Sequence, residues 1–338
     1  MTSISREKLV EIVNNLPTAK VGVVGDFVLD RFIFGISTRI SREAPVLILK
    51  ESKRSEHPGG GANTLNNCLS LGVEASALSV FGKDSEGEVL NSILASKGLK
   101  PERSFFVESA NATTTTKSRI LGGLRHSTAQ QIVRVDRENP LKQDADIDRQ
   151  IIENLKEMQK HVDVMIVTDY GLGIISDNVK TFIRETLIPQ GMKVLVDSRF
   201  AMLDYTNFYG ITPNITEVEE ALGEDIGNDI EKVERFGSQL RADLNLNMLI
   251  ITRGKFGMSL VEESGIAHVP CFGSDEVTDV TGAGDTVIAV LSSALAAGAS
   301  SLEAVHLANI AGGLVVQKQG TATLTRAELI DAISHWHN

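Results

Sequence analysis

The chain has 338 residues, enough at about 150 residues per domain for one large or two medium domains with a substantial core. Its 42% hydrophobic and 23% charged residues exclude a disordered or fibrous chain. With 33 Lys+Arg against 44 Asp+Glu (net −11) and 5% aromatics, it lacks the basic surface and stacking platform of a nucleic-acid or anionic-membrane binder. A small phosphorylated molecule would need only a few local cations.

The N-terminal stretch, MTSISREKLVEIVNNLP, mixes charges through its length and reads as an amphipathic helix, not a signal peptide. No run approaches ~18 apolar residues, so no membrane span is expected and the cytoplasm is the expected location. Lys20–Gly25 reads as a buried strand, Gly61–Leu71 as a helix, Val73–Val80 as a strand and Ser85–Ser96 as a helix. Further on, Asp163–Thr168, Lys193–Asp197 and Met248–Thr252 are apolar, β-branched runs of strand length. Helical patterns at Ile147–Lys160, Asp177–Ile188 and Ile230–Leu244 separate them. Continuous apolar strands alternating with helices predict a mainly parallel sheet covered on both faces.

Two stretches break this rhythm. Phe32–Glu56 holds a strand at Pro45–Lys50 with no helix before it, and Thr113–Leu121 and Gln131–Asp136 read as two more strands. Gln131–Asp136 (QIVRVD) alternates apolar and polar residues, as in a sheet with one solvated face. These strands predict a small separate sheet that forms a flap over an active site. No repeat, low-complexity segment or Pro/Gly linker divides the chain, so a core with an excursion is expected. Cys68 and Cys271 are too few for a disulfide framework and read as two buried thiols in a reducing compartment.

The most informative segment is Glu276–Ala297, where a polar loop runs into an apolar helix opened by Gly282, Ala283 and Gly284. Free first-turn amides and the helix dipole suit an anion such as a transferring phosphate. Asp285 either favours the helix dipole or accepts a proton from an attacking hydroxyl. Gly59–Asn63 (GGGAN) is a second Gly-rich turn into a helix, with Asn63 as its cap or as a contact for a sugar hydroxyl. Asp26 and Asp30 follow the first strand, where a carboxylate serves a turn or accepts bonds from sugar hydroxyls. In TPNITEVE, Thr216 and Glu219 fit a capping box, while Asn214 and Glu217 fit an amide and an acid that hold the metal and phosphates of a nucleotide. Thr252-Arg253-Gly254 would border that nucleotide. There is no GxxxxGK[ST], HExxH or CxxC pair, and Gly282 and Gly284 form only a partial GxGxxG. His335 and His337 read as a solvent-facing tail.

Together these motifs resemble the ribokinase-like (PfkB) family of carbohydrate kinases. GGGAN resembles its first signature, DVTGAGD its second, and Asn214-Ile215-Thr216-Glu217 its NxxE motif, over about Val21 to Thr323. Within the family, GDFVLDRFIFG, STRISREAPV, QQIVRVDRE, TDYGLG and EVTDVTGAGDTVIAVLSSALAAG are similar to the D-glycero-β-D-manno-heptose 7-phosphate kinases. Those enzymes supply ADP-heptose for lipopolysaccharide core and are often fused to an adenylyltransferase.

The resemblance implies a three-layer αβα fold with a mainly parallel sheet. It implies one kinase domain over 1–338, a lid from insertions at about 31–57 and 113–136, and, with the chain ending at Asn338, a stand-alone kinase. It implies ATP and Mg²⁺, with Asp285 as base and Gly282, Ala283 and Gly284 at the anion site. Asn214 and Glu217 would hold Mg²⁺ through water, and Thr252, Gly254, Gly257 and Asn309 would bind nucleotide. Asp30, Arg31, Gly60, Gly61, Asn63, Arg119, Arg134 and Asp169 would bind the phosphosugar, and Asp279 and Thr281 a monovalent cation such as K⁺. Of the lid cations (Arg31, Arg39, Arg42, Lys117, Arg119 and Arg134), Arg119 and Arg134 on the predicted strands are chosen for the sugar's phosphate. A homodimer through the lid is expected, with no nucleic-acid or membrane partner. Three features depart from the relatives: Leu172 and Ser198-Arg199 stand where they commonly have Lys and Pro-Lys, and a third glycine extends the GG pair.

Overall fold

The computed structural model describes residues 4–123, 129–142, 144–273, 278–318 and 320–336. Helix α1 (Arg6–Asn15) leads into β1 (Lys20–Gly25), followed by β2 (Phe27–Ile40), β3 (Leu47–Gly60), α2 (Gly61–Ser70) and β4 (Glu74–Leu78). Next come β5 (Val80–Gly82), α3 (Ser85–Ser96), β6 (Val107–Ser109), β7 (Thr116–Gly123) and β8 (Gln130–Arg137). The middle of the chain forms α4 (Ala145–Met158), β9 (Val164–Asp169), α5 (Asp177–Phe182), β10 (Lys193–Ser198), β11 (Gly210–Ile211) and α6 (Ile215–Leu222). The last part forms α7 (Ile230–Asp243), β12 (Met248–Thr252), β13 (Met258–Glu262), β14 (Gly265–Val269), α8 (Ala283–Ala296), α9 (Ser301–Val315) and α10 (Arg326–His335).

The large sheet has the order β14-β13-β12-β11-β10-β9-β1-β4. It is parallel from β4 through β12 and turns antiparallel at β13 and β14. Successive strand residues enter opposite cores. Val23, Ile166, Leu195 and Ile250 pack with α1, α2 and α8–α10, while Val24, Val167, Val196 and Ile251 pack with α4, α5 and α7. This period of two under continuous apolar runs produces the expected three layers.

The small sheet has the order β3-β2-β7-β8, with β2 and β7 parallel and both outer pairs antiparallel. Here the sequence reading needs correction. Pro45 and Val46 precede the strand, which runs from Leu47 to Gly60, and Phe27–Ile40 is itself a strand. Most of the hairpin beyond its base is solvated, so residues such as Lys50, Glu51, Lys53 and Arg54 show no apolar period. The alternation in Gln131–Asp136 does not mark one covered face, because every residue of β8 is exposed in the chain.

Three smaller corrections follow. The helix expected over Asp177–Ile188 stops as α-helix at Phe182 and continues as a π-turn over Ile183–Leu187. Cys68 is buried, and burial pushes its thiol up to about 12, but Cys271 is exposed. His335 faces solvent as expected but ends α10 instead of lying in a tail, and Trp336 after it is buried with its ring centre 5.2 Å from that of His306; His337 lies outside the described residues.

Candidate active site

Parallel strands leave their carboxyl ends at one edge of the sheet, and ligands of open α/β folds bind there. A cavity of about 1050 Å³ occupies that edge, between the large sheet and the small one. Asp30 of β2, Arg119 of β7 and Arg134 of β8 line its outer end, with Lys117 and Glu138. Gly282, Ala283, Gly284 and Asp285 line its middle. Asn214, Glu217, Thr252, Gly254, Gly257 and Asn309 line the remainder, with Thr281 and Gly60 also on the wall.

The middle of the cavity is built on the start of α8. Gly282 is the N-cap with φ 77°, and a Cβ there would lie 2.6 Å from Asn63 Nδ2, so only glycine fits. The turn leaves first-turn amides without intrahelical partners beside the cavity. Of the expected segment Glu276–Ala297, Glu276 and Val277 lie outside the described residues. Asn63 Nδ2 donates to Asp285 Oδ2 at 2.7 Å, and Thr64 Oγ1 to Oδ1 at 3.5 Å. The Tyr170 hydroxyl lies 2.8 Å from Asp285 Oδ1 and 2.9 Å from Asp197 Oδ2. Burial, then the charge of Asp197, push the Asp285 carboxyl up to about 7, although Asn63 and Tyr170 oppose this. Asp285 is half-buried, enclosed on the protein side and open to the cavity.

Asn63 is fully buried and reaches Asp285, so it positions that carboxylate and is not part of the cavity wall. Gly60 has φ 55°, and a Cβ there would crowd the Asp26 carbonyl at 2.8 Å and the Tyr170 ring at 3.1 Å. Gly61 opens α2 behind the wall, where a Cβ would meet Thr168 and Phe27. Asp26 is also behind the wall. It accepts from the Tyr170 and Leu172 amides at 2.7 and 3.0 Å, and burial pushes it up to about 7.

At the outer end, Asp30 is ion-paired with Arg119, whose guanidinium lies 5.2 Å from the Phe32 ring centre. Arg134 pairs with Asp136 at 2.9 Å, and Lys117 pairs with Asp136 and Glu138. Two expected contacts lie elsewhere. Arg31 is outside the cavity, where Glu56 at 2.6 Å and Glu86 at 3.5 Å hold it. Asp169 turns away from the cavity toward the Tyr205 hydroxyl and the Gly171 amide.

Asn214 and Glu217, not Thr216 and Glu219, form the capping box of α6. Asn214 Oδ1 accepts from the Glu217 amide and Glu217 Oε2 from the Asn214 amide, both at 2.9 Å. The register follows from the extended backbone at Asn214, and Glu219 accepts from the Ile226 and Gly227 amides. Burial pushes the Glu217 carboxyl up, and Oε1 remains for the cavity. No cluster of three or more His, Cys, Asp or Glu fit to hold a metal occurs among the described residues. Oxygen donors without a protein cage fit Mg²⁺, which keeps most of its waters and binds substrate phosphates. Asp279 takes the Thr281 amide on one oxygen and the Gly320 amide on the other, fixing the loop before Gly282. Asn309 Nδ2 donates to the Pro270 carbonyl at 2.8 Å, where the cavity passes α9.

The sequence reading passed over Tyr170 and Asp197. Their signal is position: both sit at or just after the carboxyl ends of adjacent parallel strands, β9 and β10.

The family profile described as pfkB family carbohydrate kinase matches residues 18–328. The bifunctional protein HldE of Pelobacter propionicus is 35% identical over 337 residues, covering 98% of this chain and 67% of that protein. The bifunctional protein HldE of Chromohalobacter salexigens is 40% identical over 323 residues, 94% of this chain and 64% of that protein. The chain thus spans about two thirds of the length of these curated relatives. Among solved structures, phosphofructokinase-2 from Escherichia coli in complex with potassium superposes with a TM-score of 0.75 at 20% identity, covering 94% of this chain and 98% of that one. Ribokinase from Arabidopsis thaliana complexed with ribose and ATP gives 0.70 at 18%, covering 93% and 98%. These likenesses extend to the fold.

Proposed function

Because the chain belongs to the pfkB family of carbohydrate kinases, we propose that it transfers the γ-phosphoryl group of ATP to the anomeric hydroxyl of D-glycero-β-D-manno-heptose 7-phosphate. The product would be the 1,7-bisphosphate, which feeds ADP-heptose and lipopolysaccharide core synthesis. One observation carries the reading: Asp285 and the glycine-rich start of α8 share a cavity with Asn214, Glu217, Thr252 and Asn309 on one side and, at the outer end, the three cations Lys117, Arg119 and Arg134 beside Asp30 and Glu138. A neutral sugar needs no such cations, whereas a sugar already phosphorylated at its far end does.

Asp285 accepts the proton of the attacking hydroxyl, held in position by Asn63. The Ala283, Gly284 and Asp285 amides stabilise charge on the phosphoryl oxygens. Mg²⁺, when bound, neutralises charge on the nucleotide phosphates; Asn214 and Glu217 would hold it through water. Asp30 orients sugar hydroxyls, and Arg119 and Arg134 bind the distal phosphate by exchanging carboxylate partners for it.

We read 1–338 as one kinase domain whose small sheet is a lid that excludes water from the phosphoryl group. Its edge strand β8 exposes Ile132, Val133 and Val135 by 47%, 47% and 55%, and Ile40 and Leu47 are exposed at the hairpin end. An uncovered apolar edge strand needs a partner, and the small sheet of a second copy supplies one. The expected homodimer is checked by sedimentation; a monomer at micromolar concentration refutes it. No helix among the described residues is long and apolar enough to cross a membrane.

A coupled ADP-release assay tests the substrate, comparing heptose 7-phosphate with fructose 6-phosphate, ribose and adenosine. The highest kcat/KM is expected with the heptose phosphate. Leu172 on the cavity wall favours a second reading, a different phosphosugar lacking a group that a lysine would bind there. A preference for fructose 6-phosphate would select that reading. Absence of ADP with every sugar would indicate a sensor on a kinase scaffold.

A further inference from the structure

The Tyr170 hydroxyl carries one hydrogen yet lies within hydrogen-bond distance of two carboxyl oxygens, 2.8 Å from Asp285 and 2.9 Å from Asp197. It donates to one of them. The other contact is a hydrogen bond only if that carboxyl is protonated and donates to the phenolic oxygen. With both contacts as hydrogen bonds, the three groups hold two protons and carry one negative charge.

The surroundings decide where that charge sits. Asp285 accepts from Asn63 and Thr64 and lies in the first turn of α8, where the helix dipole favours a carboxylate. Tyr170 is the hydrogen-bond partner found for the Asp197 side chain among the described residues. Other charges lie farther out: Asp30 on β2, paired with Arg119 of β7, and Glu217 of α6 and Arg199 just after β10 on the Asp197 side. We propose that Asp197 and Tyr170 are positioning residues for the base, with Asp197 holding a proton toward the Tyr170 oxygen and Tyr170 donating to Asp285. Asp285 then faces the cavity as a carboxylate.

Burial raises both carboxyls, and burial with the two acids keeps Tyr170 a phenol, consistent with two retained protons. Through a turnover, the acceptor's proton goes to Asp285 and leaves to solvent with the product, while Asp197 keeps its own. The proposal rests on the kinase reading for the use of Asp285, but not for the sharing of the proton.

The test compares wild type with Asp197→Asn and Tyr170→Phe. The first readout needs no substrate: ¹³C-carboxyl NMR titration of labelled aspartate, assigned with Asp285→Asn and Asp197→Asn. Wild type should show two coupled steps, the upper one near neutrality. Asp197→Asn, whose amide donates permanently and brings no second charge, should lower the remaining step by at least about one unit. Tyr170→Phe should bring the two steps closer together. The second readout is the pH profile of kcat. Because Asp197 holds the shared proton between the two steps, the acid limb of kcat should follow the lower one, so wild type and Asp197→Asn should both keep most of their plateau rate at pH 6; a wild-type rate near about one tenth at pH 6 would place the proton on Asp285 and overturn the proposal. Tyr170→Phe, which removes a donor from the Asp285 carboxylate, should move the acid limb to higher pH. A merely structural role would lower turnover at every pH without moving the acid limb. Independent carboxyl titrations in wild type, unmoved in both variants, overturn the proposal. Shared titration in a protein that turns over no sugar upholds the proton sharing and refutes the kinase reading.

Discussion

Asp285→Asn separates what the site needs from what the fold prefers. The Asp285 carboxyl is raised from its ordinary 3.8 to about 7, with burial as the largest cause and the Asp197 charge next. Between those values the folded protein keeps a proton that the unfolded chain has lost. Stability therefore falls as pH rises through this window, and the full deficit is present above pH 7. About three units at ~1.4 kcal/mol each set an upper bound of ~4 kcal/mol. The carboxylate is open to the cavity on one side, so about half of that, ~2 kcal/mol, is expected. An asparagine fits the existing contacts: its oxygen accepts from Asn63 and its amide donates to the Tyr170 oxygen. At about 2.1 cal/mol/K per residue over 338 residues, the variant should melt about 3 °C above wild type at pH 8. At pH 4 the difference should vanish, while kcat at pH 8 falls by about 10²–10⁴. Thermal unfolding across pH 4–8 and ADP release measure the two effects. A stability difference independent of pH, or a fall in kcat below tenfold, refutes the assignment.

The other predictions concern the anion site, the outer cations and the metal. Gly282→Ala forces a left-handed φ of 77° on a residue with a Cβ 2.6 Å from Asn63 Nδ2. It should cost about 1–3 kcal/mol, read as a melting point a few degrees lower, and should reduce kcat by displacing Asn63 from Asp285. Arg134→Ala removes an exposed cation from the cavity end. KM for the phosphosugar should rise about tenfold while kcat for ATP turnover holds, and an unchanged KM removes Arg134 from phosphate binding. Glu217→Gln keeps the side-chain oxygen that caps α6 but removes the charge, so half-saturation by Mg²⁺ should rise about tenfold. An unchanged Mg²⁺ titration would show that Glu217 serves the cap alone.

What was readable before the structure depended on how much each segment buries. The core strands are apolar runs covered on both faces, and Lys20–Gly25 appears with the expected bounds. The Gly282–Asp285 turn was visible because glycine spacing before an apolar helix has a direct backbone meaning. The hairpin Phe27–Gly60 was obscured because its tip and half of β3 face solvent and follow no burial period. Arg31 could not be sorted from Arg119 by type or by strand. They sit on neighbouring strands, but the register pairs Arg31 with Ser118 and Arg119 with Phe32, so the two point to opposite faces of the small sheet, and Glu56 and Glu86 hold Arg31 on its side. Tyr170 and Asp197 gained their importance from a third residue, Asp285, distant in the sequence, so their strand-end position was the one local signal. The capping box moved by two residues because Thr can cap a helix but Asn caps better, and the extended backbone falls at Asn214.

The last residues of β3 lead into α2 without a loop, and the Gly61 amide at that junction donates to the Asp26 carbonyl between β1 and β2 at 2.9 Å. Both legs of the hairpin are thus cinched at their root, two residues from Asn63. There is no slack between the roof of the cavity and the amide that grips the base. Under the kinase reading, an inward tilt of that roof would nudge the same grip, so capturing the acceptor and aiming the carboxylate at it would be a single mechanical event.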